Sequence, residues 1–492
     1  MRPGRERRRV TAALMLAMFL AALEATAVGT AMPTAVGELG GVARYSWVFS
    51  AYLLTSTTTV PLYGKLADLH GRALIFYGSV ALFLTGSALS GLAGSIEQLI
   101  VFRAVQGLGA GGVMPIAITL VGDIYTLEER GRMQGLFSGV WGVSSLVGPA
   151  VGGLVTDLVS WRWVFYLNLP FGLLSVALLA LHLREDPERE RRRLDLLGTL
   201  SLTAAITLLL VALLEGGEVW GWASPRTLAL IGGATTALVV FIAQERRAPE
   251  PMLPLDLFGD RIIAVSSAGS VLIGTLLFAS TAFVPMFVQG VLGGTAVDAG
   301  IVLAPMSIGW PIASTASGRL LLRIGYRPLP IAGGVFALAG SALLAQADPA
   351  TSRATLMAAM FVLGLGLGCM STPYLVAVQN AVPWRRRGVA TSVIQFSRTI
   401  GGAITVAAFG AILNAHIAAR LGPDAVDPDA ALDPALRATL AADSLAALIA
   451  ALADGLHAVY TIFLALALAA VLIAILFPSG AAESHAYADD QP

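Results

Sequence analysis

The sequence predicts an all-α polytopic membrane protein with fourteen transmembrane helices, arranged as two six-helix bundles with two extra helices between them. Three observations support this fold class. The 492 residues are 56% hydrophobic and only 13% charged, against roughly 25% charged residues in soluble chains. The apolar residues form blocks of about 20, the length at which a helix crosses a bilayer. Short motifs also recur in the two halves of the chain.

Fourteen apolar segments follow one another along the chain. Lipid offers no hydrogen-bond partners, so a segment that crosses it must satisfy its own backbone groups, and each is predicted to be a helix rather than a strand. The segments are 10–32, 47–66, 74–94, 98–121, 134–157, 163–183, 197–215, 227–243, 262–285, 297–317, 329–346, 354–378, 389–414 and 456–477.

The basic residues of the loops predict the orientation, because Lys and Arg accumulate on the cytoplasmic side. With fourteen spans, the loops on the side of the N-terminus hold 23 basic residues and the opposite loops hold 6. Both termini are therefore expected in the cytoplasm, and the chain in the plasma or inner membrane. The basic start before an apolar run also resembles a secretory signal, but that run is long and contains Glu24, which favours an uncleaved first span.

Three pairs of motifs recur at a nearly constant offset of 254 to 257 residues. Close packing of small residues explains glycines inside the spans, but it does not explain loop motifs repeated at a fixed offset. Two similar halves around a central site are the architecture of rocking secondary transporters. The pairs are "GKLADLHGR" (64–72) with "GRLLLRIGYR" (318–327), "GLGAGGVMP" (107–115) with "GLGLGCMSTP" (364–373), and "ERGRMQG" (129–135) with "RRGVATS" (386–392).

The repeat predicts three regions. Residues 1–195 are expected to form the first six-helix bundle, 196–260 the two extra helices with a cytoplasmic linker, and 261–492 the second bundle. The last region includes an extracytoplasmic loop, 415–455. Within that loop the apolar stretch 444–453 is too short to span a membrane and is predicted to be an amphipathic surface helix.

The motifs make the chain similar to the major facilitator superfamily, and within it to the fourteen-span drug:proton antiporters of the EmrB/QacA type. The resemblance covers essentially the whole chain. Glu24 stands where that group usually has aspartate. The motifs that carry it are "LEATAVGTAMP" (23–33), "GKLADLHGR" (64–72), "RAVQGLGAGG" (103–112), "GPAVGG" (148–153) and "SWRWVFYLNLPFG" (160–172).

Only three ionisable side chains lie well inside the apolar segments: Glu24, Arg103 and Arg398. Each is costly in a membrane without a partner or a water-filled cavity. Glu24 and Arg103 lie at similar depths, about 12 and 8 Å from the outer edge at 1.5 Å per residue, so they can meet on facing helices. We hypothesise that Glu24 carries the proton and that Arg103 sets its affinity. A static ion pair between the two spans is the alternative. The resemblance adds that a fourth-span arginine is implicated in proton coupling.

The turn after the second segment is predicted to be a cytoplasmic latch, formed by Gly64, Asp68, Gly71 and Arg72. Asp68 can accept hydrogen bonds from a helix N-terminus or pair with an arginine. Gly71 permits the tight turn and Arg72 can bind carboxylates or helix C-termini. The second copy of the motif has Leu322 in place of Asp68, so the acidic group exists only in the first half.

The fifth segment is predicted to be a kinked, closely packed hinge at Gly148, Pro149, Gly152 and Gly153. Proline removes a backbone hydrogen bond, and glycines let a neighbouring helix approach. Ordinary helix packing is the alternative reading of the same residues.

The resemblance implies a central cavity lined by spans 1, 4, 5 and their counterparts. Its candidate substrate contacts are Thr26, Gln106, Met114 and Arg398, although Arg398 could instead extend to the cytoplasmic interface. These spans are mostly apolar, which suits lipophilic or amphipathic molecules. Proton-coupled export of drugs is expected, with a small molecule, protons and the lipid bilayer as partners. Export of a lipid or an endogenous hydrophobic metabolite is the alternative.

Other classes of protein are not favoured by the sequence. No phosphate-binding loop or Asp-rich metal motif is present and the five histidines are scattered, so no enzyme, cofactor or metal site is predicted. A channel would need repeated polar rings, which are not found. No nucleic-acid partner is expected.

Overall fold

The structure, a computed structural model, describes residues 5–39, 45–183, 195–216, 220–248, 251, 253–294, 296–383, 386–421 and 440–479. All regular secondary structure in these ranges is helical, and no strand occurs in them. Helix is the expected outcome for so apolar a chain, because a helix satisfies its backbone hydrogen bonds without water.

The helices fall into three groups along the chain. By their order along the chain, α1 to α7 are called the first lobe, α8 and α9 the central hairpin, and α10 to α15 the second lobe. Their bounds are α1 Arg5–Leu39, α2 Tyr45–His70, α3 Arg72–Gly91, α4 Ile96–Ile124, α5 Leu127–Leu158, α6 Arg162–Tyr166, α7 Asn168–His182, α8 Leu196–Gly216, α9 Pro225–Glu245, α10 Arg261–Met286, α11 Ala296–Ile324, α12 Pro328–Ala345, α13 Arg353–Asn380, α14 Arg387–Leu421 and α15 Ala442–Ile475.

Every predicted apolar segment coincides with one of these helices, the sixth with α6 and α7 together. Ten spans within the described residues are long and apolar enough to cross a membrane: α3, α4, α6 with α7, and each helix from α9 to α15. Helix α8 has a shorter apolar stretch, Leu197–Leu213. The chain is therefore a polytopic helical membrane protein with about ten candidate spans, and the count of fourteen stays a prediction.

Helices extend into both ends of the predicted outer loop, 415–455, and its position outside the cytoplasm stays a prediction. Helix α14 continues to Leu421, and α15 begins at Ala442, so the stretch 444–453 is the first part of a long helix rather than a separate surface helix. Leu448 and Leu452 of this stretch are buried, which explains why the helix continues without a break. Arg420 and Asp454 form an ion pair between α14 and α15.

The two lobes meet along two helix pairs, α2 with α14 and α5 with α11. Helices α2 and α11 carry the repeated 64–72 and 318–327 motifs, and α5 and α14 carry the repeated 129–135 and 386–392 motifs. Each seam therefore joins one member of each repeated pair, so the two seams are equivalent under the repeat. The α8–α9 hairpin packs mainly on itself and touches α2 and α14 beside one seam.

The repeat is also visible in the backbone. Gly71 has φ 92° and Gly325 has φ 78°, a left-handed conformation that residues with a Cβ rarely adopt. Gly71 N–H donates to the Ala67 carbonyl at 3.1 Å, and Gly325 N–H to the Leu321 carbonyl at 3.0 Å. The two glycines thus end α2 and α11 in the same way. The face of the bundle that carries both glycine turns is called the turn face below, and the opposite side the far face.

Candidate functional site

A buried ion pair joins α1 to α4. Arg103 donates from Nη1 to Oε1 of Glu24. The exposed fraction is 1% for Glu24 and 2% for Arg103. Two charges removed from water are tolerated only when they compensate each other, so this pair fixes the relative position of the two helices. The structure therefore brings together the two residues that the sequence placed at similar depths.

Other side chains complete the surroundings of Arg103. Gln106 Oε1 accepts a second hydrogen bond from Arg103 Nη1 at 2.7 Å, and the Val48 carbonyl accepts one from Nε at 3.4 Å. The guanidinium carbon lies 4.2 Å from the ring centroid of Tyr52 and 5.9 Å from that of Phe165. Aromatic rings attract a desolvated cation, so Arg103 is held by several groups besides Glu24.

Glycines of α4 let Tyr52 reach this position. An added Cβ at Gly107 would collide with the Thr55 side chain and the Tyr52 carbonyl, and one at Gly111 would collide with Thr59. Helix α2 therefore packs against bare backbone on α4. The sequence analysis did not identify Tyr52. Its depth could have indicated it, because Tyr52 and Arg103 each lie seven residues after the start of their helices.

Two polar atoms of this site have no hydrogen-bond partner among the described residues: Oε2 of Glu24 and Nε2 of Gln106. Buried polar groups are normally satisfied, so such exceptions mark places where a proton, a water molecule or a ligand can bind. The Tyr52 hydroxyl is a further hydrogen-bond partner of this carboxylate. Because Arg103 occupies Oε1 of Glu24, Oε2 is the oxygen that remains for a proton.

At the far face, the motif 160–172 connects α6 to α1. Arg162 Nη1 donates to Glu38 Oε1 at 2.6 Å, and Trp161 Nε1 donates to Glu38 Oε2 at 2.8 Å. The hydrogen bond from Arg162 holds the pKa of Glu38 below its usual range. Asn168 Nδ2 also donates to Ser87 Oγ at 2.8 Å. This motif therefore closes the first lobe rather than lining its interior.

The turn face shows where part of the predicted latch lies. Arg72 is buried and forms an ion pair with Asp123 at the end of α4, a partner that the sequence analysis did not name. Gly64 lies directly against Ser392 of α14, where an added Cβ would overlap the serine side chain. The Asp68 side chain lies outside the described residues. Gly64 is thus at a seam between the lobes, whereas Arg72 acts within the first lobe.

The predicted hinge lies in an uninterrupted helix, α5. Gly148 and Gly152 are buried, and α5 packs on α1 and α11. The Pro149 ring and the Gly153 position lie outside the part of α5 whose side chains are described, and so does the Thr26 side chain in α1. Met114 of α4 is half-buried.

Arg398 does not extend to the turn face. Its Nη2 donates to Ser371 Oγ of α13 at 3.0 Å, and its guanidinium carbon lies 5.8 Å from the Trp310 ring centroid on α11. The side chain therefore points into the second lobe, which contradicts the expectation that it reaches the interface. Within the described residues its Nε has no hydrogen-bond partner.

Metal-binding groups are not found in the described ranges: they contain no cluster of three or more His, Cys, Asp or Glu side chains that could hold an ion. Cys369 is a free thiol.

Comparison with a family model and comparison with individual proteins agree with each other. Residues 14–406 match the family model of the Major Facilitator Superfamily. The chain is 38% identical to the multidrug transporter protein MdtP of Bacillus subtilis over 403 residues, which is 82% of this chain and 74% of that protein. It is 35% identical to multidrug resistance protein 3 of the same organism over 403 residues, 82% of this chain and 79% of that protein.

A solved structure shows the same fold. The proton:xylose symporter XylE matches with a TM-score of 0.65 over 97% of each chain, at 14% sequence identity. The TM-score supports a shared fold, but at such low sequence identity the match says nothing about substrate or coupling.

Proposed function

The chain belongs to the major facilitator superfamily, is a transporter and not an enzyme, and from that premise we propose that it exports drugs or other lipophilic, amphipathic small molecules by alternating access. The observation that carries this proposal is the similarity to two multidrug transporters over 82% of the chain. The mainly apolar composition of the helices agrees with substrates of this kind.

We propose further that export is coupled to protons through Glu24. In the described state its carboxylate is paired with Arg103, and its Oε2 is open to a proton. Protonation would release one partner of Arg103, while Gln106 and Tyr52 would still hold the guanidinium. Glu24 can therefore gain a proton without leaving Arg103 isolated. A proton carrier needs this property, whereas a static link between α1 and α4 does not need it.

The lobes would rock about their two seams. In this proposal the turn face is cytoplasmic, both termini lie in the cytoplasm, and the protein resides in the plasma or inner membrane. Gly64, Asp68, Gly71 and Arg72 would form the latch of the closed turn face. Gly148, Pro149, Gly152 and Gly153 would form the flexible part of α5.

The finer family assignment is also a proposal. All fourteen predicted segments lie on helices, which supports the fourteen-span drug:proton antiporter type with the regions 1–195, 196–260 and 261–492. The α8–α9 hairpin would then supply the two extra spans.

Transport by the purified full-length chain tests the proposed function. Proteoliposomes are loaded with a panel of amphipathic dyes and drugs, and each compound is followed with an imposed pH gradient, with the gradient collapsed, and in liposomes without protein. We expect saturable movement of several compounds that the gradient accelerates. Movement of a fluorescent lipid between leaflets with no movement of any drug would contradict drug export and favour the lipid alternative.

A further inference from the structure

Arg398 is a charged side chain inside the second lobe that the proposed proton coupling does not use. Arg103 has Glu24 as its partner, but no ion pair within the described residues involves Arg398. Its only described hydrogen bond is the one to the neutral Ser371 hydroxyl. A guanidinium keeps its charge in a protein, so within the described residues this positive charge has no counter-charge.

No acidic residue in the described part of the second lobe forms an ion pair with Arg398. Asp298 lies at the far-face start of α11 and pairs with Arg353 at 2.6 Å. Asp454 of α15 pairs with Arg420. No acidic residue occurs anywhere in α12, α13 or α14. Among the described residues, no carboxylate therefore compensates the charge of Arg398, and an acidic ligand could do so.

The groups around Arg398 form an incomplete binding site. Ser371 is buried, and Gln395, one turn before Arg398 on the same face of α14, has a buried Oε1 with no partner among the described residues. Trp310 supplies an aromatic surface on one side. Gly368 lets α13 approach the Trp310 backbone closely, because an added Cβ there would collide with the Trp310 carbonyl. Ser371 and Trp310 thus meet at the Arg398 guanidinium, and Gln395 lies one turn away along α14.

This point lies in the second lobe, on a helix that also contacts the first lobe, and at a different depth from the proton site. Helix α14 contacts both α2 and α4 of the first lobe. Arg398 lies eleven residues from the turn-face end of α14, and Met114 lies ten residues from that end of α4. At 1.5 Å per residue both are about 15 Å deep, whereas Arg103 is about 30 Å from the same end. A ligand at Arg398 therefore does not compete with Arg103 for Glu24.

We propose that Arg398, Ser371, Gln395 and Trp310 bind the acidic group and the ring of the transported molecule, so that the protein prefers aromatic amphipathic monoanions such as carboxylates over their neutral and cationic analogues. The guanidinium provides charge-assisted hydrogen bonds through Nε and Nη2, and the indole packs against the ring of the ligand. This inference rests on the proposed export function and specifies its substrate class.

Three dansyl compounds of similar size separate charge from hydrophobicity: dansylglycine carries one carboxylate, dansylglycinamide is neutral, and dansylcadaverine carries one ammonium group. Equilibrium binding to the purified full-length protein is measured for each. We expect dansylglycine to bind about tenfold more tightly than dansylglycinamide, as a charge-assisted hydrogen bond implies, and dansylcadaverine to bind most weakly.

Variants assign this preference to Arg398. R398Q should reduce the ratio of the dissociation constants of dansylglycinamide and dansylglycine to about one, and R398K should keep part of this preference. The control R353Q, at an exposed ion pair on the far face, should leave the ratio unchanged. If Arg398 had a purely structural role, R398Q would weaken the binding of all three compounds equally. The inference is overturned if wild type binds the carboxylate no better than the amide, or if R398Q retains the preference.

These experiments distinguish a failure of the anion preference from a failure of the proposed export function. Transport of the cationic or neutral dansyl compound alone by wild-type proteoliposomes would contradict the anion preference and still support export. Absence of gradient-driven movement of every drug and dye tested would contradict the export function itself, whatever the binding preference is.

Discussion

At the residue scale, the number and kind of partners distinguish Arg103 from Arg398, the two arginines inside the helix bundles. Arg103 has a carboxylate, an amide oxygen, a backbone carbonyl and the Tyr52 ring around it. Arg398 has a serine hydroxyl and a more distant indole. The first arrangement is self-sufficient and suits a group that modulates Glu24. The second has no counter-charge among the described residues, and the proposed anionic ligand would supply it.

Tyr52 gives a prediction at this scale. Replacing Tyr52 with Leu removes the ring that covers Arg103, whereas Phe keeps it. A desolvated cation–π contact is worth up to about 2 kcal/mol, so Y52L should lower the thermal unfolding midpoint and the rate of gradient-driven transport. Y52F keeps the ring and loses only the hydrogen bond of the hydroxyl to Glu24, so its losses should be smaller than those of Y52L. Unfolding in detergent and dye efflux measure the two effects. Equal losses in Y52F and Y52L would show that the ring over Arg103 is not what matters.

Some side-chain partners could be predicted from the sequence and others could not. Glu24 and Arg103 could be paired from the sequence, because a charge inside an apolar segment needs a partner and only one carboxylate lies at that depth. Asp123 could not be assigned to Arg72 in this way, because both lie at helix ends where many charged groups are available. The direction of the Arg398 side chain depends on α13 and α11, which periodicity within α14 does not reveal.

At the element scale, the seams between the lobes consist of helices packed through small residues. Gly64 lies against Ser392 in the α2–α14 seam, and Gly142 lies against the Ser307 carbonyl in the α5–α11 seam. Such contacts let helices approach closely without interlocking side chains, which suits surfaces that must separate and rejoin. The same geometry makes the seams sensitive to added volume.

Gly64 gives a prediction at this scale. G64V places a branched side chain where Ser392 stands and should disfavour the closed turn face, with a loss of about tenfold in transport rate if the strain reaches the 1–3 kcal/mol typical of overpacking. The matched control is G78V, because Gly78 of α3 has no atom within 4 Å of an added Cβ. Dye efflux from proteoliposomes measures both variants. Similar rates for G64V and wild type would exclude a close seam contact during the cycle.

Most helices could be predicted from the sequence, because long apolar blocks leave little choice but helix in a membrane. The outer loop could not. Residues 444–453 are too short to span alone, yet they extend a neighbouring apolar block and bury Leu448 and Leu452 against the bundle. Length predicts whether a segment can cross a membrane, but only packing decides where its helix begins.

At the scale of the whole molecule, the repeat, the two equivalent seams and the buried pair form one arrangement. Each half contributes one helix to each seam, so the lobes can tilt against each other without unfolding any helix. Glu24 and Arg103 join α1 to α4 within the first lobe. A change of charge at Glu24 would therefore bias the lobe through α1 and α4, which the ion pair joins.

The most direct test of this account compares two carboxylates on the same helix. Wild type, E24Q and the control E38Q, at the exposed far-face pair with Arg162, are purified and reconstituted, and both pH-gradient-driven transport and exchange without a gradient are measured. The account predicts that E38Q behaves like wild type, and that E24Q retains exchange but loses the response to the pH gradient. Gradient-driven transport by E24Q at the wild-type rate would contradict it.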